Sequence, residues 1–236
     1  MHIAILVTNT DDSTFAQGWP DDGAKFAALL RTVRPDWTVT AFAVTRGVYP
    51  ADLKGIDGLI VTGSPASVHD PDPWVGQLLS LIRQAVALGV PLFGACFGHQ
   101  AVAMALGGEV GANPGGWVLG TVGTEMEGAE VRLYAAHREQ VVKAPPGAVV
   151  VGRTPGCPVA AMRIGPGVLT TQYHPEMTHD FIAALVEELD GKLPEQAIAD
   201  ARASLAVQAD RGLMAERIAR FFEGQDSAAS RSIAVT

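Results

Sequence analysis

The chain has 236 residues, a formal net charge of −8 and two cysteines. This length is enough for one large domain with a buried core, and the acidic balance argues against nucleic acid and membrane surfaces as partners. Two cysteines form no disulfide framework, no run of 18 apolar residues occurs and Met1 leads directly into a core-like strand, so we expect no signal peptide, no membrane span and a cytoplasmic location.

In the first half of the chain, apolar runs alternate with helical stretches. Strands are predicted at 2–8, 38–44, 57–62 and 90–95, and helices at 22–33, 73–88 and 97–106. Asp72 before Pro73 is typical of a helix start, with an N-cap and a proline at the first helical position. The alternation predicts an α/β fold in which helices flank a mostly parallel open sheet.

The second half of the chain has a different pattern. From about 108 to 172, short strands separated by Gly and Pro turns predict a small antiparallel addition. Residues 194–223 have helical propensity, and their apolar stripe predicts a face packed on the body of the protein. We therefore expect a catalytic domain at 1–190, a C-terminal helical extension packed on it at 191–223, and a disordered tail at 224–236.

Residues 94–100 (Gly-Ala-Cys-Phe-Gly-His-Gln) follow an apolar run and precede an alanine-rich helical run. A small residue two before Cys96 and a glycine two after it are typical of a strand–elbow–helix turn, which holds a nucleophile in a cramped backbone conformation. The start of the helix favours a thiolate over a thiol. The pattern predicts a catalytic Cys96; the alternative is a buried structural cysteine.

Residues 172–176 (Gln-Tyr-His-Pro-Glu) predict the base that would serve this nucleophile. Pro175 favours an extended conformation at His174, so that Glu176 can lie beside the imidazole and orient it. The alternatives are an ordinary loop histidine, or a metal site that includes His179. The metal alternative lacks a helical histidine pair and a second Cys/His cluster, so we expect no metal.

The turn at 62–65 (Thr-Gly-Ser-Pro) follows a buried strand. Acyl chemistry needs backbone N–H donors directed at the developing oxyanion. The N–H groups of Ser64 and Phe97 can supply them, although such a turn alone is usually only a turn.

Together, the Cys96 elbow, the Tyr-His-Pro-Glu segment and the Thr-Gly-Ser-Pro turn resemble class I, triad-type glutamine amidotransferases. The resemblance is strongest to the glutaminase domain of GMP synthetase and its free-standing relatives, and it spans roughly residues 2–190. It implies a flavodoxin-like sheet of the class I amidotransferase type. It also implies a Cys–His–Glu triad that hydrolyses the side-chain amide of glutamine through a γ-glutamyl thioester.

The same resemblance implies the residues that bind the substrate. Gln100 would help to hold it, beside the turn that contains Gly63. Residues 135–141, which include Ala136 and His137, would lie against its amino-acid end. Because the sequence has no nucleotide-binding loop, we expect no ATP or other cofactor.

Three functions remain open from the sequence. The first is a glutamine amidotransferase that releases ammonia for a separate synthase, and the second is a γ-glutamyl hydrolase or peptidase that acts on γ-glutamyl amines or peptides. The third, a non-catalytic regulatory relative, is the weakest because all three triad residues are present. The resemblance favours the first.

Overall fold

The computed structural model of the chain describes residues 1–225, so the tail predicted at 224–236 lies outside the described residues from residue 226 onward. The strands are β1 (His2–Val7), β2 (Thr38–Ala43), β3 (Gly58–Val61), β4 (Leu92–Ala95), β5 (Glu109–Ala112), β6 (Val118–Met126), β7 (Ala129–His137), β8 (Glu139–Lys143), β9 (Ala148–Thr154), β10 (Cys157–Ile164) and β11 (Val168–Thr171). The helices are α1 (Thr14–Gln17), α2 (Asp22–Arg31), α3 (Pro73–Ala87), α4 (Phe97–Ala105), α5 (His179–Glu188), α6 (Glu195–Ser204) and α7 (Arg211–Phe222).

Nine strands form one mixed sheet in the order β2-β1-β3-β4-β11-β10-β9-β6-β7. The strands from β2 to β11 pair in parallel, and the remaining four continue the sheet by antiparallel pairing. Strands β5 and β8 form a separate antiparallel pair. The predicted fold class is confirmed, and most of the predicted antiparallel addition is an extension of the main sheet.

Alternate residues of β1 pack on opposite faces of the sheet, as expected for strands covered on both sides. Ala4 and Leu6 lie in a cluster with apolar residues of α3 and α4. Ile3 and Ile5 lie in a second cluster with α2 and α7, which includes Phe222. The last described helix therefore contributes to the main core, whereas the division of the chain at residue 190 stays a prediction.

The predicted strands and helices of the first half occur in the structure within two residues of their predicted ends. Asp72 is the N-cap residue of α3 and Pro73 begins the helix, but the Asp72 side chain accepts no capping hydrogen bond. Within residues 1–225, no helix is both long enough and apolar enough to cross a membrane.

Candidate active site

Cys96 lies between the end of β4 and the start of α4, in a backbone conformation with φ 50° and ψ −107°. A positive φ is uncommon for a residue other than glycine and stores strain. A Cβ added to Gly94 would lie 2.7 Å from the Gly98 carbonyl oxygen, and one added to Gly98 would lie 2.2 Å from the Val61 carbonyl oxygen. Both glycines are therefore required for the close packing of the turn, as the sequence predicts.

Two backbone hydrogen bonds hold this turn against its neighbouring strands. The Cys96 N–H donates to the Thr171 carbonyl at 2.9 Å, and the Gly98 N–H donates to the Thr62 carbonyl at 3.0 Å. The N–H groups of Phe97 and Ser64 have no acceptor within residues 1–225. Both remain available to a ligand, as required of the predicted oxyanion donors.

His174 and Glu176 form a buried pair. Nδ1 of His174 lies 2.7 Å from Oε1 of Glu176, the carboxylate is 1% exposed, and Nε2 of His174 has no hydrogen-bond partner in the described chain. Burial disfavours a charged imidazole, but the charges of Glu176 and Cys96 outweigh burial and raise the pKa of His174 well above its usual value. A carboxylate in this position accepts a hydrogen bond from Nδ1–H and orients the imidazole, with Nε2 on the opposite side of the ring.

The backbone of this pair is tied to the antiparallel strands and to the C-terminal segment. The His174 N–H donates to the Tyr134 carbonyl at 2.8 Å, and the Tyr134 hydroxyl accepts from the Ala209 N–H at 3.3 Å. Arg211, the first residue of α7, donates to the Glu176 carbonyl at 3.2 Å. The position of His174 therefore depends on elements far from it in sequence.

Cys157 has a different environment from Cys96. It is the first residue of β10 and lies in an apolar cluster with Leu133 and Tyr173. Burial raises the pKa of its thiol to about 11. Cys157 is therefore a structural thiol at neutral pH.

Gln172 is a site residue that the sequence analysis did not identify. Its side chain is fully buried, and Nε2 donates to Sγ of Cys96 at 3.7 Å. Nε2 of Gln100 donates to Oε1 of Gln172 at 3.3 Å and to the Glu139 carbonyl at 2.8 Å. Gln100 therefore orients the amide that is hydrogen-bonded to Cys96. The position of Gln172 two residues before His174, within the predicted motif, could have identified it from the sequence.

A cavity of about 730 Å³ opens above the cysteine. Five of the predicted site residues line it: Gly63, Ser64, Cys96, Ala136 and His174. Gln100 and His137 are not among its lining residues in the described chain. Direct contact of these two side chains with a substrate stays a prediction, and the cavity does not support it.

His137 is 4% exposed, and its Nδ1 lies 3.0 Å from the Glu139 carbonyl. Burial, with a smaller contribution from the charge on His174, lowers the pKa of His137 to about 4. His137 is therefore neutral at physiological pH. Its Nε2 is buried without a hydrogen-bond partner in residues 1–225.

The alternative of a metal site required His179 to join His174 and Glu176. Nε2 of His179 instead lies 3.1 Å from the Leu205 carbonyl. In the part of the chain that the structure describes, no three His, Cys, Asp or Glu residues are grouped so that they could hold a metal ion.

The family model of class-I glutamine amidotransferases matches residues 27–183. The chain belongs to this family. A glutamine amidotransferase-like protein of Schizosaccharomyces pombe is 28% identical over 242 residues, which cover 93% of this chain and 98% of that protein. A glutamine amidotransferase of Thermotoga maritima has the same fold, with a TM-score of 0.75 and 16% identity over 96% of this chain and 98% of that one.

Two other relatives of this chain have more specific names. The glutamine-hydrolysing GMP synthase of Psychrobacter arcticus is 36% identical over 180 residues, which cover 67% of this chain. The chain spans only 31% of that synthase's length. Gamma-glutamyl peptidase 3 of Arabidopsis thaliana is 27% identical over 203 residues, which cover 78% of this chain and 82% of the peptidase.

Proposed function

We propose that this amidotransferase hydrolyses the γ-amide of glutamine, with Cys96 as nucleophile, His174 as base and Glu176 as the orienting carboxylate. One observation carries the proposal: a strained cysteine at a helix start shares a cavity wall with a buried histidine whose Nδ1 lies 2.7 Å from a carboxylate oxygen. Nucleophilic acyl transfer needs these three groups in this order.

The first half of the reaction forms the thioester. Nε2 of His174 takes the thiol proton, and Sγ of Cys96 attacks the γ-carbonyl carbon of the substrate. The carbonyl oxygen becomes an oxyanion that accepts hydrogen bonds from the N–H groups of Ser64 and Phe97. The C–N bond then breaks, and His174 returns its proton to the leaving nitrogen, which departs as ammonia.

The second half hydrolyses the thioester. Water attacks the thioester carbonyl as Nε2 of His174 accepts its proton, and the C–S bond breaks to release glutamate. The amide N–H of Gln172 and the His174 imidazolium stabilise the departing thiolate. The thiolate then takes the proton from the imidazolium, which restores the thiol and the neutral imidazole. No cofactor or metal is needed for this sequence of steps.

The ammonia would pass to a separate synthase that we expect to share the cytoplasm with this chain. The matches to glutamine-hydrolysing GMP synthases support this part of the proposal. The assignment predicts that hydrolysis of glutamine by the chain alone is slow and rises when the acceptor enzyme is added, because the partner would order the turn at Ser64.

A second candidate function is hydrolysis of γ-glutamyl amines or peptides. The cavity of about 730 Å³ favours it, because this volume lies within the ~300–1,000 Å³ of pockets that hold drug-sized ligands. The match to a γ-glutamyl peptidase over most of both chains also supports it. The triad chemistry is unchanged, and only the leaving nitrogen differs.

The test is glutamate release by the purified chain, measured with glutamine and with γ-glutamyl amides, with and without EDTA. Cys96→Ala should abolish hydrolysis of all of them, and Cys157→Ala should preserve it. Full activity in Cys96→Ala would contradict the proposed function. Fast hydrolysis of γ-glutamyl amines or peptides without a partner would select the second candidate over the first.

A further inference from the structure

The cavity above Cys96 has one wall made of aromatic rings. Phe15, Trp19 and Phe181 line it, and we call these three residues the aromatic wall. The ring centroids are 5.9 Å apart for Phe15 and Phe181 and 5.3 Å apart for Trp19 and Phe181. Leu185 of α5 and Leu189, the C-cap residue of that helix, extend the same apolar surface.

The aromatic wall is held in place before any ligand binds. The Ser13 side chain caps α1, which carries Phe15, by accepting from the Ala16 N–H. The ammonium of Lys25 lies 3.7 Å from the centre of the Phe181 ring, and Asp22 fixes this lysine by an ion pair of 2.8 Å. Rings held in this way present a preformed surface.

Ammonia, the group that leaves when glutamine is hydrolysed, has no apolar surface to bury against the aromatic wall. Phe15, Trp19, Leu185 and Leu189 remain only partly buried, so apolar area faces the cavity. Apolar area of this kind beside a polar catalytic centre is typical of a site for an apolar group of a ligand. Hydrolysis of glutamine itself would leave the aromatic wall without a partner.

The charge at the cavity restricts the chemistry of that group. The lining residues include four aspartates against one lysine and one arginine. Asp11 and Asp12 are exposed at its edge, and the Asp12 carboxylate has no hydrogen-bond or ion-pair partner within residues 1–225. Lys25, the cation that contacts the aromatic wall, is already paired with Asp22. A carboxylate carried by the ligand near the aromatic wall would therefore meet an excess of negative charge and be repelled.

We propose that the aromatic wall binds the amine half of the substrate, and that the preferred substrate class is a γ-glutamyl amide of an amine that carries an aromatic ring and no carboxylate. The inference rests on the second candidate function, hydrolysis of γ-glutamyl amines at Cys96, and it favours that function over hydrolysis of glutamine. It goes further by specifying the group that leaves with the nitrogen.

Binding to the Cys96→Ala protein, measured by titration calorimetry, tests the aromatic wall without turnover. The probes are γ-glutamyl phenethylamide, γ-glutamyl methylamide and γ-glutamylphenylalanine. The phenethylamide should bind about 10- to 100-fold more tightly than the methylamide, because it buries a ring that the methylamide lacks. γ-Glutamylphenylalanine has the same ring and a carboxylate, and it should bind more weakly than the phenethylamide.

Two substitutions in the same background assign the effect to the aromatic wall. Trp19→Ala should remove most of the difference between phenethylamide and methylamide. Leu185→Ala, which leaves α1 intact, should reduce it several-fold. Leu88→Ala is the matched control, because Leu88 is 63% exposed on the surface and does not line the cavity. It should leave both affinities unchanged.

Equal affinities for phenethylamide and methylamide would overturn the inference, whatever the enzyme hydrolyses. A retained preference in both Trp19→Ala and Leu185→Ala would also overturn it. Turnover by the wild-type chain is a separate measurement. A failure to hydrolyse any probe would contradict the mechanism at Cys96 and leave the assignment of the aromatic wall to be decided by calorimetry.

Discussion

Gly98→Ala should lower both stability and activity, because Gly98 packs α4 directly on β3. The added Cβ would lie 2.2 Å from the Val61 carbonyl oxygen, whereas ordinary van der Waals contact begins at 3.4 Å. Val61 is in a central strand, so the turn that carries Cys96 has to move by roughly 1 Å. Overpacking of this kind costs about 1–3 kcal/mol, and a displacement of about 1 Å in a reacting group costs about 100-fold in rate.

Denaturant unfolding measures the loss of stability, and release of glutamate from a γ-glutamyl amide measures the loss of activity. Gly76→Ala is the matched control, because Gly76 lies in α3 with open space around its added Cβ. It should raise stability by about 0.5–1 kcal/mol and leave the rate unchanged. If Gly98→Ala unfolds at the wild-type denaturant concentration and reacts at the wild-type rate, close packing of this turn does not position the nucleophile.

Three further predictions concern the reacting groups. Iodoacetamide at neutral pH should label Cys96 faster than Cys157, whose labelling should rise only as the pH approaches about 11. Peptide mapping identifies the labelled cysteine, and preferential labelling of Cys157 would contradict the mechanism. His174→Ala should abolish acylation, whereas Glu176→Gln should keep weak turnover and lower the pKa of His174. Equal and negligible effects of both substitutions on turnover would show that the pair has only a structural role. Gln172→Leu should slow alkylation of Cys96 about 10- to 100-fold, because a hydrogen bond to a charged group is worth about 1.5–3 kcal/mol. An unchanged alkylation rate would show that Gln172 does not stabilise the thiolate.

The elements around the candidate triad could be predicted from the sequence because their signals are local. Glycines two residues on either side of Cys96 specify a tight turn, and Pro175 favours an extended conformation beside the base. The strands that bring these segments together are buried apolar runs with recognisable ends. Local patterns of this kind survive in the folded chain because tertiary packing agrees with them.

The contacts of Gln172 and of the aromatic wall could not be predicted in this way. The Gln172 amide meets the nucleophile across two neighbouring strands, and Phe15 meets Phe181 from helices more than 160 residues apart in the chain. The pairing of β9 with β6 is also long-range. Contacts of this kind depend on register and packing, which a single sequence leaves open.

Hydrogen bonds to the C-terminal segment determine the smallest part of this protein that could be transplanted. They connect His174 through Tyr134 to Ala209, and Glu176 to Arg211. All of the recognisable motifs end by residue 176, which suggests that a short fragment would be sufficient. Such a fragment would lack the hydrogen-bond partners that hold the backbone of the base, and it would uncover the face of the sheet on which α7 packs. A graft of this site into another protein should therefore carry residues 1–222.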